Sequence, residues 1–364
     1  MDVALFGLNH PHSLLHLDSF HAIDEIDSVF VWKDNGTDFK QIEYDKYYKV
    51  KIISNNIDDI KKANPLFGIT SLRHDRIKDI CINLIDSKIN ILAEKPLGIN
   101  FNEAKYIYDY SLSKDHKLGI CYINRAEPRV QKTKDLLKEG HCGKLHTVEM
   151  RMITTAVDHR LPSHWLFRKK YSGGGILIWL GCHYIDLIRY IFDDEIVSVF
   201  AEMGKLSKND IDVEDTCSLI LRFKHGQIAT LNLAYLLTMS GSGYNNKSGY
   251  DTYVSFNGSQ GRIIWSANEQ PMSLYVESCA QNWKYKQKNI NFQLEPSQAY
   301  GGSSGESFLR NFINWCMNKE VPLATGFDAV KTAQIIDAAY QSSVNGKKIN
   351  INPYDAIVVG SGAT

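Results

Sequence analysis

Over its first 122 residues the chain alternates short apolar runs with segments of helical period, and few folds accept that pattern. Val3 to Phe6 is an apolar strand that breaks at Gly7-Leu8-Asn9-His10-Pro11-His12-Ser13, after which Leu14, Leu17 and Ile23 recur at helical spacing. Val29 to Trp32 reads as a second buried strand ending at Lys33-Asp34, and Leu66 to Thr70 as a third. A helix is expected over 73–86, with Ile77, Ile80, Cys81 and Leu84 on one face. A strand at Ile89 to Leu92, a helix over roughly 102–114 and a strand at Lys117 to Tyr122 follow. Strand and helix alternating at this short spacing specify a parallel, doubly wound sheet.

After residue 140 the pattern changes. Leu145 to Thr154, Val197 to Met203, Thr216 to Phe223, Gln227 to Leu236, Thr252 to Phe256 and Leu274 to Glu277 read as strands, several joined by hairpin-like turns such as Lys224-His225-Gly226. A largely antiparallel sheet is expected. Phe308 to Met317 and Ala329 to Val344 read as helices, and the Gly/Ser-rich stretches Ser240 to Gly249 and Gly301 to Gly305 as mobile loops. With 364 residues, 44% of them hydrophobic, the chain can bury two cores. The expected division is 1–122, 123–352 and a tail of unclear status at 353–364.

Chemistry concentrates at two places. Ala93-Glu94-Lys95-Pro96-Leu97 closes the 89–92 strand and sets an ammonium beside a proline at the strand's carboxyl end. Ligands of open α/β sheets bind outside those ends, so Lys95 is a candidate active-site cation. Farther on, Gly173-Gly174-Gly175 precedes an apolar run ending in Gly181-Cys182-His183-Tyr184-Ile185-Asp186. His183 is a titratable imidazole, and Asp186, one helical turn later, can fix its tautomer. A cation, a base and a base-orienter are the parts of an alcohol/ketone redox site.

Charge and cysteine usage exclude other classes. Forty-one basic residues against 41 acidic ones give no net charge, so neither a nucleic-acid surface nor a polybasic membrane anchor is indicated. The seven cysteines are scattered, odd in number and without a Cys-x-x-Cys pair, which argues against a disulfide framework or structural zinc and for a reducing, cytoplasmic compartment. His10 and His12, beside a phosphate-type turn, are expected either to offer imidazole N–H groups to a pyrophosphate or to be loop residues without a role, and without further recognisable ligands no metal is expected there. The start of the chain lacks a basic n-region, and the apolar run Ile176 to Tyr190 carries His183, Asp186 and Arg189, so neither reads as a signal peptide or membrane span.

The order of these elements resembles the Gfo/Idh/MocA oxidoreductases: Gly-rich turn, Asp34, His74, Glu94-Lys95-Pro96, Arg125 with Pro128, Gly140-His141-Cys142-Gly143, Gly173 to Gly175, then His183 with Asp186. The resemblance spans residues 2 to about 352. It implies an N-terminal Rossmann domain, a C-terminal α+β domain with an open-faced sheet, a nicotinamide cofactor and a sugar, cyclitol or sugar-acid substrate. It also implies a cis peptide before Pro96, catalytic roles for Lys95, His183 and Asp186, and cofactor contacts from Gly7, Asn9, His10, His12, Asp34, His74, Glu94, Lys95 and Pro96. Tyr122, Arg125, Trp165 and Trp179 are implied to line the substrate pocket, and a homo-dimer or homo-tetramer is expected. Asp34 favours NAD over NADP because its charge would repel a 2'-phosphate.

Two positions depart from the family pattern. Where the dinucleotide turn ordinarily reads Gly-x-Gly-x-x-Gly/Ala, this chain has Gly7, Asn9 and His12. Asn9 is expected to keep the turn through a left-handed backbone. Where the family has an aspartate four residues before the histidine, this chain has Trp179. The readings that remain are an NAD-dependent dehydrogenase, a non-catalytic NAD- or ligand-binding regulatory protein of the same fold, and a glycosidase that uses NAD transiently. Tyr354 to Thr364 resembles the flavin-binding start of glucose-methanol-choline oxidoreductases, expected as a dispensable fragment or one extra edge strand.

Overall fold

A computed structural model describes residues 1–34, 46–155, 157, 160–236, 250–266, 271–352 and 354. By packing, the chain divides into one unit of 1–126 with 295–331 and a second of 127–294 with 332–354. The segment 295–331, expected in the C-terminal domain, therefore packs with the N-terminal unit. The stretch Ser240 to Gly249 and the tail after Tyr354 lie outside the described residues.

The first unit contains β1 (Asp2–Phe6), α1 (Ser13–Ala22), β2 (Ser28–Trp32), β3 (Val50–Ser54), α2 (Ile57–Lys62), β4 (Phe67–Thr70), α3 (His74–Asp86), β5 (Asn90–Ala93), α4 (Phe101–Ser113) and β6 (Leu118–Ile120). All six strands are parallel, in the order β3-β2-β1-β4-β5-β6. Val3, Ala4, Leu5 and Phe6 are each fully buried, which is why β1 reads as a continuous apolar run: helices cover both faces of a parallel sheet. The edge strand β3 carries Val50, Ile52 and Ile53 yet leaves Lys51 and Ile52 exposed, and main-chain pairing with β2 holds it. Asn56 caps α2 by accepting from the Asp58 amide at 3.1 Å, and Asn100 caps α4 by accepting from the Glu103 amide at 2.9 Å. The peptide between Lys95 and Pro96 is cis.

Gly301 to Gly305, expected as a loop, opens the helix Gly302–Cys316 instead. Gly301 has φ +80°, and a Cβ on Gly305 would lie 1.7 Å from the Tyr300 carbonyl oxygen, so these glycines serve a tight entry into the helix. Phe312 of that helix packs edge-on against Phe67 of β4, ring centroids 5.3 Å apart.

The second unit is built on a nine-stranded sheet: β7 (Leu145–Thr154), β8 (Ile196–Gly204), β9 (Thr216–Phe223), β10 (Ile228–Ala234), β11 (Tyr250–Gly258), β12 (Gly261–Trp265), β13 (Ser273–Ser278), β14 (Gln287–Asn291) and β15 (Ile349–Asn350). Their order is β14-β13-β12-β11-β7-β10-β9-β8-β15, antiparallel throughout except for the β10–β7 pair. Along β9, Cys217, Leu219, Leu221 and Phe223 are buried while Ser218, Ile220 and Arg222 are exposed, so one face is covered and the other open. Sequence periodicity missed β14, whose Gln287, Lys288, Asn289 and Asn291 leave almost no apolar signal. The stretch Lys169–Phe192 is long and apolar enough to cross a membrane, yet 89% of its apolar window is buried within the protein.

Candidate active site

The turn after β1 needs its glycine. Gly7 has φ +101°, and a Cβ there would sit 2.1 Å from the Leu72 side chain and 2.7 Å from the Ser71 carbonyl oxygen. Its amide donates to the Trp32 carbonyl at 2.9 Å, tying the turn to β2. Asn9 does not adopt the left-handed backbone expected of it. Its carboxamide instead donates to the Asp34 carboxylate, which also accepts from the Leu8 amide at 3.4 Å. Asp34 is thus held at the carboxyl end of β2, over the turn.

His10 and His12 do not stand out from the turn towards a phosphate, because both are buried and His12 completely so. A side chain that points under the turn leaves its backbone surface clear, and His12 does this by finding polar partners inside. His12 Nδ1 lies 2.9 Å and His16 Nε2 2.6 Å from the same oxygen, Oε1 of Glu94. Glu94 Oε2 accepts from the Lys95 amide at 3.1 Å, and the Tyr300 hydroxyl lies 3.2 Å from His12 Nε2. Glu94 and Lys95 are both fully buried. Burial, the largest influence on Glu94, would raise its carboxyl, but His12 and His10, with hydrogen bonds from His12 and His16, overrule it and hold the group well below the usual range. Burial pushes His12 down to about 4, so at neutral pH a neutral imidazole faces a carboxylate. Donor atoms of His10, His12 and Glu94, and of His16, Glu94 and Cys121, lie within 4.8 Å of one another, so the structure supplies neighbours for His10 and His12 that the sequence did not disclose.

In the second unit, crowding makes the Gly-Gly-Gly turn. A Cβ on Gly174 would lie 1.9 Å from the Tyr340 hydroxyl, and one on Gly175 1.9 Å from the Glu214 carbonyl oxygen. The Glu214 carboxylate accepts from the amides of Gly175 at 2.9 Å and Leu177 at 3.1 Å and from the Tyr340 hydroxyl at 2.8 Å. This anchor starts the π-helical turn Leu177–Gly181, continued by the helix Cys182–Phe192. Trp179, His183 and Asp186 all lie on this run and all are buried. The Arg160 guanidinium lies 5.9 Å from the Trp179 ring centroid, so the residue in place of the family's aspartate stands beside a cation. Trp165 stacks on His164 at 5.5 Å, and burial, aided by Arg160, lowers His164 to about 4.

The first unit thus brings Asn9 together with Asp34, and His10 and His12 together with Glu94 and Lys95. His74 is the first residue of α3 and is buried, its ring 6.2 Å from that of His10. Tyr122 is buried, and Arg125, expected in a substrate pocket, donates to the Leu323 carbonyl at 2.7 Å and pairs with Asp328 at 2.8 Å. That guanidinium braces the segment after the helix Gly302–Cys316. Sequence reasoning missed His16, Tyr300, Glu214 and Arg160. The His-x-His-x-x-x-His spacing could have flagged His16, one helical turn beyond His12; nothing local marks Tyr300, 288 positions away from its partner.

A parallel sheet of this order, with a glycine turn after β1 and an acidic residue after β2, defines a dinucleotide-binding class of protein. A sequence model of the GFO/IDH/MocA C-terminal domain matches residues 130–264. The uncharacterized oxidoreductase YrbE of Bacillus subtilis is 26% identical over 342 residues, 92% of this chain and 90% of its own length. Myo-inositol 2-dehydrogenase of Thermotoga maritima is 26% identical over 275 residues, 74% of this chain and 75% of its own. A levoglucosan dehydrogenase solved with NADH and levoglucosan shares the fold at TM-score 0.82 and 19% identity, covering 97% of this chain and 100% of that one. The model match and these relatives together make the chain similar to the Gfo/Idh/MocA oxidoreductases.

Proposed function

We propose that this protein is an NAD-dependent dehydrogenase or reductase acting on a secondary alcohol of a sugar, cyclitol or sugar acid. The observation that carries the reading is Lys95, fully buried directly after β5 at the carboxyl edge of the 3-2-1-4-5-6 sheet, its backbone held by Glu94. The residues present suit the cofactor: Gly7 forms the turn, His12 is buried against Glu94, and the carboxylate of Asp34 after β2 supports a role as acceptor for a ribose 2'-hydroxyl. Bound NAD would supply the hydride acceptor or donor. Lys95 hydrogen-bonds the reacting oxygen and stabilises its developing charge, and His183, with Asp186 fixing its tautomer, handles the hydroxyl proton. Inositol, levoglucosan and xylose dehydrogenases among the relatives support the substrate class. The open sheet face with Ile220 supports a homo-oligomer, and the scattered cysteines without a Cys-x-x-Cys pair support a reducing, cytoplasmic setting.

The test is a panel of cyclitols, aldoses, anhydrosugars and sugar acids incubated with NAD or NADP, read by absorbance of the reduced nicotinamide. Turnover with NAD on at least one polyol is expected. Tight NAD binding with no turnover on any of them would favour the regulatory reading, for which Trp179 in place of the family's aspartate is the supporting feature.

A further inference from the structure

We infer that His12, together with Tyr300 and His16, is a positioning residue that holds the Glu94 carboxylate in one orientation and, through it, the backbone carrying Lys95. The inference rests on the proposed reaction for its kinetic consequence and on hydrogen-bond accounting for its substance. An ionised carboxylate only accepts, so both imidazoles on Glu94 Oε1 must face it as donors: His12 through Nδ1–H at 2.9 Å, His16 through Nε2–H at 2.6 Å. A neutral His12 protonated on Nδ1 has an acceptor at Nε2, and the Tyr300 hydroxyl 3.2 Å away is the matching donor. The Lys95 amide takes Oε2 at 3.1 Å. A directed chain therefore runs from the Tyr300 hydroxyl to the Lys95 backbone, with His16 as a second brace. The Tyr300 ring lies over His12 at 4.4 Å, and its amide donates to the Ser19 hydroxyl at 2.9 Å, so the chain is anchored at its far end.

His10, His12 and Glu94 offer a metal-like donor set, and the accounting argues against that use. His10 Nδ1 accepts from the His12 amide at 3.2 Å, so ligation through its other nitrogen would require an imidazolate. The Lys95 ammonium raises the cost further, since its charge already opposes protonation of both His10 and His12. Position 12 ordinarily carries a small residue so that helix and sheet pack closely. Here an imidazole fills that place and bonds Glu94.

Three variants and two readouts test this. His12→Gly restores the usual motif residue and removes the Glu94 bond; His12→Asn keeps an N–H near the place of Nδ1; Tyr300→Phe removes the distal donor. Expected are a fall in kcat of about 10- to 100-fold for His12→Gly with KM and the NAD dissociation constant changed little, recovery of most of it in His12→Asn, and a smaller loss in Tyr300→Phe. Nitrogen-15 NMR of labelled histidines is expected to show His12 as the Nδ1–H tautomer at neutral pH and a proton on His16 Nε2, in protein with or without activity. Wild-type kcat in His12→Gly, the opposite His12 tautomer, or a stoichiometric bound metal whose chelation shifts these resonances would each overturn the inference. Absence of turnover in the unaltered protein on every polyol defeats the proposed function instead, and the tautomers still decide the network.

Discussion

Glu94 is a buried and Glu214 a half-buried carboxylate, and the oxygens of both accept from main-chain amides and from side chains, yet their surroundings drive them in opposite directions. Burial raises Glu214, and its donors, the Tyr340 hydroxyl and the amides of Gly175 and Leu177, are neutral and do not reverse the shift. Burial pushes Glu94 the same way, but titratable imidazoles at hydrogen-bond distance overrule it. The difference teaches that the number of hydrogen bonds does not set the charge state of a buried acid; the partners' capacity to carry positive charge does. Glu214 is an anchor for a helix start, whereas Glu94 is an electrostatic element beside the lysine of the proposed chemistry.

The comparison breaks first if Lys95 is not the group Glu94 serves. Lys95→Ala and His183→Ala are each expected to lower turnover by about 10² to 10⁴-fold with NAD affinity nearly intact, measured on a confirmed substrate and by cofactor titration. Near-full activity in either variant removes that residue from the mechanism.

The pH dependence of stability comes next. His12 is lowered from 6.5 to about 4, so between those values the unfolded chain binds the proton and the native one does not. Stability is therefore greatest above 6.5 and declines as the pH falls towards 4, by on the order of 3 kcal/mol for this group. Glu94, also depressed, adds to the loss in more acid solution, while Glu214, raised, works the other way: its penalty is relieved as the pH falls. Denaturant midpoints from pH 8 to pH 4 check this, and a His12→Asn variant with the same slope as the parent would remove His12 as its source.

Substituting the two acids sharpens the contrast further. Glu94→Gln loses charge-assisted bonds and turns an amide N–H towards a donor, at a cost of about 2–3 kcal/mol; Glu214→Gln, facing neutral donors, costs about 1 kcal/mol. Equal losses in chemical denaturation would show that the two sites are equivalent after all.

The smallest effect concerns a third carboxylate. Asp34 accepts from Asn9 and Leu8 at the carboxyl end of β2, and Asp34→Ala is expected to erode a preference for NAD over NADP by about tenfold, near 1.4 kcal/mol. Equal affinity of the unaltered protein for both cofactors, by titration, would count against its assignment.

By itself the sequence determined the alternating pattern that builds the parallel sheet, the antiparallel character of the second sheet and the place of Lys95 after β5. Each is a local matter of period or strand end, written in consecutive residues. The tertiary structure alone decided what His12 is for. A histidine at a glycine position reads locally as an obstruction, and only the meeting of α1, the end of β5 and the segment at Tyr300 turns it inward to a carboxylate and a hydroxyl. The same holds for Glu214, which no motif connects with the turn it anchors. The edge strand β14 formed without an apolar signature because main-chain pairing, which is blind to side-chain type, holds it in place. Sequence period reports which faces are buried; it carries no record of which distant polar atoms will meet there, because those pairings depend on how the elements pack.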